Sequence, residues 1–329
     1  MTAVRRLLSL AASRAHGLGL RRVLVFNLVM QVVIIFTGGV VRLSGSGLGC
    51  PTWPECVPGS YTPTVTQAQG WHKYVEFGNR LLTYVLVAAV VLAALAVWHE
   101  VKLRARGGTP RDRGLARLGL VPLLGVPAQA VIGGVSVLTD LNPWVVSLHF
   151  LCSALLVAVS TWLLLQAVPS RVELSDAASP PARAEVRWLV LAVSAVAALV
   201  VVLGTVVTGS GPHSGDADVS HRFGFDVRTV SWLHADAVWL FVGLVCALIL
   251  ALRLTDAPRA AQRRSLELLG VTLAQGLIGY VQYFTGVPAV LVAAHMVGAA
   301  LLVAAVTATA HAVLTTGADV PRPAAPVAV

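Results

Sequence analysis

Three histidines stand inside long apolar runs: His149, His234 and His295. An imidazole placed in hydrocarbon is costly unless it has a partner, and neutral imidazole is a common metal ligand. His149 and His295 are 146 residues apart, and so are the segments before them. Ala128-Gln129-Ala130-Val131-Ile132-Gly133 recurs as Ala274-Gln275-Gly276-Leu277-Ile278-Gly279, and Val135/Val281 and Thr139/Thr285 keep the offset. Each glutamine precedes its histidine by twenty residues. The chain therefore reads as a duplicated unit with a histidine at one depth in each copy, which predicts two equivalent cofactor sites.

The copies differ in what faces that histidine. In the second, His234 and His295 are expected on facing spans, roughly 8–11 Å below the outer surface at 1.5 Å per residue. Two imidazoles so placed can hold a heme iron inside a helix bundle. In the first, His149 is expected to face Glu76-Phe77-Gly78-Asn79-Arg80. Asn79 occupies the depth of the missing partner, and its amide is a poor iron ligand. His72 lies seven residues earlier, about 10 Å higher on the same face. Glu76 is a carboxylate within a span, at a cost of about 2.5–3.5 kcal/mol on insertion scales, and such groups mark function. Its competing role is as an i,i+4 partner for Arg80. Arg42 and Arg80 suit heme propionates, because guanidinium forks onto carboxylates. The plainer alternative for each histidine is a hydrogen-bonded packing residue. The matched offset of His149 and His295, with His234 opposite, argues against it for those three; for His72 it stands.

The elements that must position these groups are membrane helices. Of 329 residues, 57% are hydrophobic and 12% charged, and the mean hydropathy is +0.79. Stretches long enough to cross about 30 Å of hydrocarbon lie near 22–42, 72–98, 115–138, 144–168, 187–209, 230–252, 265–285 and 288–314. Pro122 and Pro127 should kink the third, as a bundle tolerates. The fold class expected is an all-α membrane protein of eight transmembrane helices, arranged as two parallel-repeat four-helix bundles. Its parts are a basic arm (1–22), a first bundle (23–168), a linker (169–187), a second bundle (188–314) and a disordered tail (315–329).

Charge sets the orientation. The arm, the loops 99–117, 169–187 and 253–264, and Arg322 in the tail hold 19 of the 24 Lys and Arg. By the positive-inside rule these segments, with both termini, are cytoplasmic. The apolar run within the arm is too short for a signal-peptide core. The net charge of +9 thus reflects topology; no basic stripe interleaved with aromatics points to nucleic acid. His213 and His221 fall in an outer loop and are expected to be solvated. Cys152 and Cys246 lie within spans as small buried apolar residues. Cys50 and Cys56 lie six apart in a Pro-rich outer loop, on the oxidising side. A disulfide is expected there, as a staple or as a redox participant.

Three motifs carry a family likeness. They are Thr37-Gly38-Gly39-Val40-Val41-Arg42-Leu43-Ser44-Gly45-Ser46-Gly47-Leu48, then Cys50-Pro51-Thr52-Trp53-Pro54-Glu55-Cys56, and Glu76-x-x-Asn79-Arg80. With Gln129-x-x-Ile132-Gly133 and the histidines, the chain resembles the heme A synthases of the bacterial eight-span type over about residues 22–314. The resemblance implies oxidation of the C8 methyl of heme O to a formyl group, giving heme A for cytochrome oxidase. It implies a bacterial plasma-membrane protein with a low-spin heme b in the second bundle, held by His234 and His295. The substrate heme then lies in the first bundle with His149 on its iron, Glu76 as the catalytic carboxylate, and Arg80 and Arg42 at the cofactor. The family pattern Glu-x-x-His-Arg reads Glu-x-x-Asn-Arg here, so the first site has one histidine. Implied partners are heme O delivered by a membrane heme O synthase, an electron acceptor the sequence does not name, and lipid; a homo-oligomer stays open. One rival reading is a diheme cytochrome b that only carries electrons, which leaves Glu76 without a role. Another is a transporter, against which the parallel repeat and the few mid-membrane charges argue.

Overall fold

The computed structural model describes residues 2–104, 110–176, 179–216, 218 and 221–316. Arg106 and the tail from 317, with Arg322, lie outside them. The described residues form helices α1 (Thr2–Leu43), α2 (His72–Arg104), α3 (Pro110–Leu138), α4 (Pro143–Ala167), α5 (Arg171–Ser175), α6 (Ala184–Ser210), α7 (Val227–Leu254), α8 (Arg259–Phe284) and α9 (Ala289–Thr315). Among these residues there is no strand; isolated bridges join Ser46 to Asp216 and Val57 to Ser60.

Seven helices are long and apolar enough to cross a membrane: α1 to α4, α6, α7 and α9. The eighth expected span, α8, is 26 residues long but falls outside that set. Arg259, Arg263, Arg264 and Glu267 crowd its first turns, and Gln275 and Gln282 interrupt the rest. Leu124, Leu155, Leu250, Leu277 and Val290 each expose more than half their surface. Such an apolar exterior suits lipid, not water. The chain is an all-helical, multi-pass membrane protein.

α1 packs on α2, α2 on α3, α3 on α4, and α4 closes back on α1; α6, α7, α8 and α9 close in the same order. The two rings meet where α9 lies against α1 and α4, and where α4 meets α6. The short linker is bolted to the second ring. Asp176 Oδ2 accepts from Ala260 N at 2.7 Å at the start of α8, and Ser170 and Glu173 form a capping box around α5. Asp226 caps α7; the Thr229 hydroxyl and then its backbone N–H hold that carboxyl below its usual pKa.

The repeat extends to the turns at the loop end. Asp140 and Leu141 have φ of 49° and 57°, and the matched Gly286 and Val287 have 78° and 59°. Leu141 N donates to Ser136 O at 2.8 Å and Val287 N to Gln282 O at 2.8 Å. A left-handed residue closing on the last helical turn is a helix C-cap device. Here it is built twice at an offset of 146.

The tightly packed cores lie toward the end that carries the termini. In the second ring they run through Val186, Val190, Phe241, Val245, Leu268 and Val306. In the first they run through Leu24, Val97, Leu163, Val90, Val126 and Leu156. His149, His234, His295 and Asn79 all lie beyond these cores, toward the loop end of their helices.

Candidate functional site

Each histidine ring rests on a glycine of the preceding helix. A methyl added at Gly133 on α3 would stand 3.2 Å from His149 Cε1, at Gly204 on α6 3.4 Å from His234 Cε1, and at Gly279 on α8 3.2 Å from His295 Cε1. The missing Cβ is what lets the ring approach the helix. Nδ1 of all three rings is buried with no hydrogen-bond partner. His234 and His295 are close enough to interact electrostatically.

The glutamines of the repeat act on the same residues. Gln129 Nε2 donates to His149 O at 2.9 Å and to Ser153 Oγ. Gln275 Nε2 donates to His295 O at 3.0 Å. Sequence reasoning found this motif and missed its role; the signal was there, since glutamine and glycine four residues apart share one face of a helix.

At the matching place in the first ring the structure differs. Asn79 Oδ1 accepts from Thr37 Oγ1 at 2.7 Å. The pair lines a cavity of about 300 Å³ between α1 and α2, with Phe36, Val40 and Gly78. Val40-Val41 before Ser44-Gly45 matches Val206-Val207 before Ser210-Gly211, which pairs Gly38 with Gly204. A methyl on Gly38 would meet nothing within 4 Å.

Glu76 is buried, and both its oxygens are engaged. Oε1 accepts from Arg80 Nη2 at 2.6 Å and Nε at 3.1 Å, and Oε2 from Cys50 N at 2.6 Å. Arg80 Nη2 also donates to Cys50 O and Thr52 O, both at 3.0 Å, and Nη1 to Glu55 O at 3.3 Å. The pair therefore clasps the cysteine loop, which a disulfide between Cys50 and Cys56 closes. Trp53 of that loop packs against Gly134, next to the seat of His149. Arg42 reaches across the repeat, from Nε to His213 O at 2.8 Å and from Nη2 to Thr208 O at 2.9 Å.

His72 stays at the loop end, with Nδ1 at 2.9 Å from Ser46 Oγ and its ring stacked on Trp71. Two expectations need correction. His213 and His221 are not merely solvated: His213 Nε2 lies 3.0 Å from Val287 O and His221 Nδ1 2.8 Å from Asp140 O. They pin the loop between α6 and α7 to the two repeated turns. Cys246 is exposed and Cys152 half-buried; on a lipid-facing surface a thiol needs no burial.

A profile of the cytochrome oxidase assembly protein family (COX15-CtaA) matches residues 21–214. The chain belongs to this family. It is 28% identical over 145 residues to the heme A synthase of Geobacillus thermodenitrificans, 44% of this chain and 41% of that protein. It is 30% identical over 185 residues to that of Lysinibacillus sphaericus (strain C3-41), 54% of each. The chain thus matches about half the length of these curated relatives. The family match takes in Glu76, Asn79, Arg80 and His149 but stops before His234 and His295. The internal repeat is what ties the second ring to the first.

Among the described residues no group of three or more His, Cys, Asp and Glu is placed to cage a bare ion. Separate imidazoles with unpartnered nitrogens, each in a glycine seat, suit an iron whose other ligands come from a porphyrin. A heme therefore fits these residues.

Proposed function

We propose that this protein is a heme A synthase, oxidising the C8 methyl of heme O to the formyl group of heme A for cytochrome oxidase. The observation that carries this reading is the set of three glycine-seated imidazoles, one in the first ring and two in the second, in a chain of this family. His234 and His295 would hold a resident heme b, and His149 would bind the iron of the substrate heme. When bound, heme b supplies a one-electron carrier beside the substrate; oxygen comes from water and the electrons leave to an acceptor. Glu76 would act at the reacting edge, taking up a proton or stabilising developing positive charge. Arg80 and the Cys50 N–H hold that carboxylate in place, so its position does not depend on the ligand. Arg42 brings a guanidinium charge to the loop end of α1, where heme propionates would be drawn; the N–H groups of Arg80, expected to share that role, are spent on Glu76 and the cysteine loop. The Cys50–Cys56 loop with Trp53 would cover the first site and keep water ordered there.

The architecture we propose is eight crossings in two parallel four-helix repeats, 23–168 for the substrate and 188–314 for heme b. The arm 1–22, the linker 169–187 and the tail 315–329 would lie with both termini in the cytoplasm of a bacterial cell. Heme O would arrive through the membrane from a heme O synthase.

Supplying heme O to the purified protein and analysing the extracted pigments tests the proposal. Wild type should form heme A, and Glu76→Gln should lose most conversion while keeping its heme b. A heme-loaded wild type that never makes heme A would reduce the protein to an electron carrier. Normal conversion by Glu76→Gln would leave Glu76 as a clasp for the cysteine loop.

A further inference from the structure

The repeated Gln-x-x-x-Gly of α3 and α8 holds two points of one histidine. The glycine seats the ring, and the glutamine, one turn earlier, grips the main-chain carbonyl of the same residue. We infer that Gln129 and Gln275 are positioning residues. Each sets the rotation and height of the histidine-bearing helix through that carbonyl, and so fixes the plane in which the imidazole meets iron. This inference rests on the heme reading above.

A glycine seat alone cannot do this. It is flat, and it lets the ring slide and turn with its helix. In hydrocarbon no water competes for the carbonyl, so an interhelical hydrogen bond to it holds the helix in place. Added to a ring contact one turn away, it leaves the helix little freedom about its axis.

Packing does not explain the residue type. Both glutamines leave Oε1 buried without a partner, which costs the desolvation of each acceptor. A leucine of similar volume would carry no such cost. The same costly residue stands at both sites, although the surroundings differ. In the second ring Gly298 makes room for the Gln275 amide, which an added methyl would strike. In the first, the matched position is Cys152, and Ser153 accepts from Gln129 as well. What the two sites share is the N–H donated to the histidine carbonyl.

The test is spectroscopic, on the full-length purified protein with its retained heme. Gln275→Leu should keep the fold, change the low-spin EPR signal that reports the angle between the imidazole planes, and weaken heme retention about 10–100-fold. Thr272→Val is the control, because its hydroxyl bonds only to Leu268 O within α8; it should leave both readouts unchanged. An unmoved signal and occupancy in Gln275→Leu would overturn the inference. So would a shift of equal size in Thr272→Val, which would mean general loosening of α8. If Gln275→Leu fails to fold, Gln129→Leu decides: its retained heme should be unchanged, while the Kd for added heme O rises about tenfold. An unchanged Kd overturns the inference. A wild type that neither retains nor takes up heme sinks the functional reading and this one together; a heme-loaded wild type with an indifferent Gln275→Leu sinks this one alone.

Discussion

The two rings of helices use one plan and differ in what faces the shared histidine. Both have a histidine on the fourth helix, seated on a glycine of the third and gripped by a glutamine one turn earlier. The second ring adds His234 on its second helix, seated on Gly204. The first has Asn79 there, turned to Thr37, with the space beside Gly38 left open. The first ring alone carries a buried carboxylate clasped to a disulfide loop. Two strong axial bonds suit a permanent cofactor. One such bond beside a reactive group suits something that must arrive, react and leave.

The largest expected effect breaks the comparison outright. His234→Ala and His295→Ala should each abolish the retained low-spin heme, since on the proposed reading each supplies one of the two imidazoles that hold it. His149→Ala should keep that heme and lose turnover. Optical spectra of the purified variants check this. A retained heme that disappears with His149 and survives the loss of His295 would mean that the roles of the rings are reversed.

Much of this was legible from sequence, because a periodic, lipid-facing chain writes its helices plainly. Seven of the eight expected spans pass on length and composition; α8 does not, because Gln275 and Gln282 dilute the hydropathy of the stretch beyond its charged first turns. Sequence offset alone paired His149 with His295. It could not show that Arg80, besides neutralising Glu76, spends its N–H groups on three loop carbonyls, or that Arg42 welds one repeat to the other. Those partners are main-chain atoms, and residue types do not encode them. The same holds for His213 and His221, whose acceptors are turn carbonyls distant in sequence.

A smaller effect should sharpen the comparison. Asn79→His adds the missing imidazole, at the cost of the Thr37 hydrogen bond, about 1 kcal/mol. The cavity that Thr37 and Asn79 line can take the ring. A second axial bond should then slow heme release from the first ring by about tenfold, equivalent to about 1.4 kcal/mol. Stopped-flow transfer of heme to an apo-acceptor measures it. Unchanged release would show that position 79 does not look onto the iron.

The smallest effect uses one substitution at four places. Glycine to alanine within a helix is favourable by about 1 kcal/mol where nothing is in the way. At Gly38 nothing is, so Gly38→Ala should be neutral or slightly stabilising, with the retained heme spectrum unchanged. At Gly204 and Gly279 the new methyl would stand 3.4 Å and 3.2 Å from an imidazole carbon. The ring must then move by a few tenths of an ångström or leave its rotamer, which costs about 0.5–1.5 kcal/mol. Heme retention in the second ring should fall about two- to tenfold, from the same range of energies. Gly133→Ala should show its effect only in turnover, because on the proposed reading His149 serves the exchanging site. Heme-to-protein ratios after a fixed dialysis, together with thermal melts, read all four variants. If Gly38→Ala loosens the retained heme as much as Gly279→Ala does, the open space in the first ring is not a vacated imidazole seat.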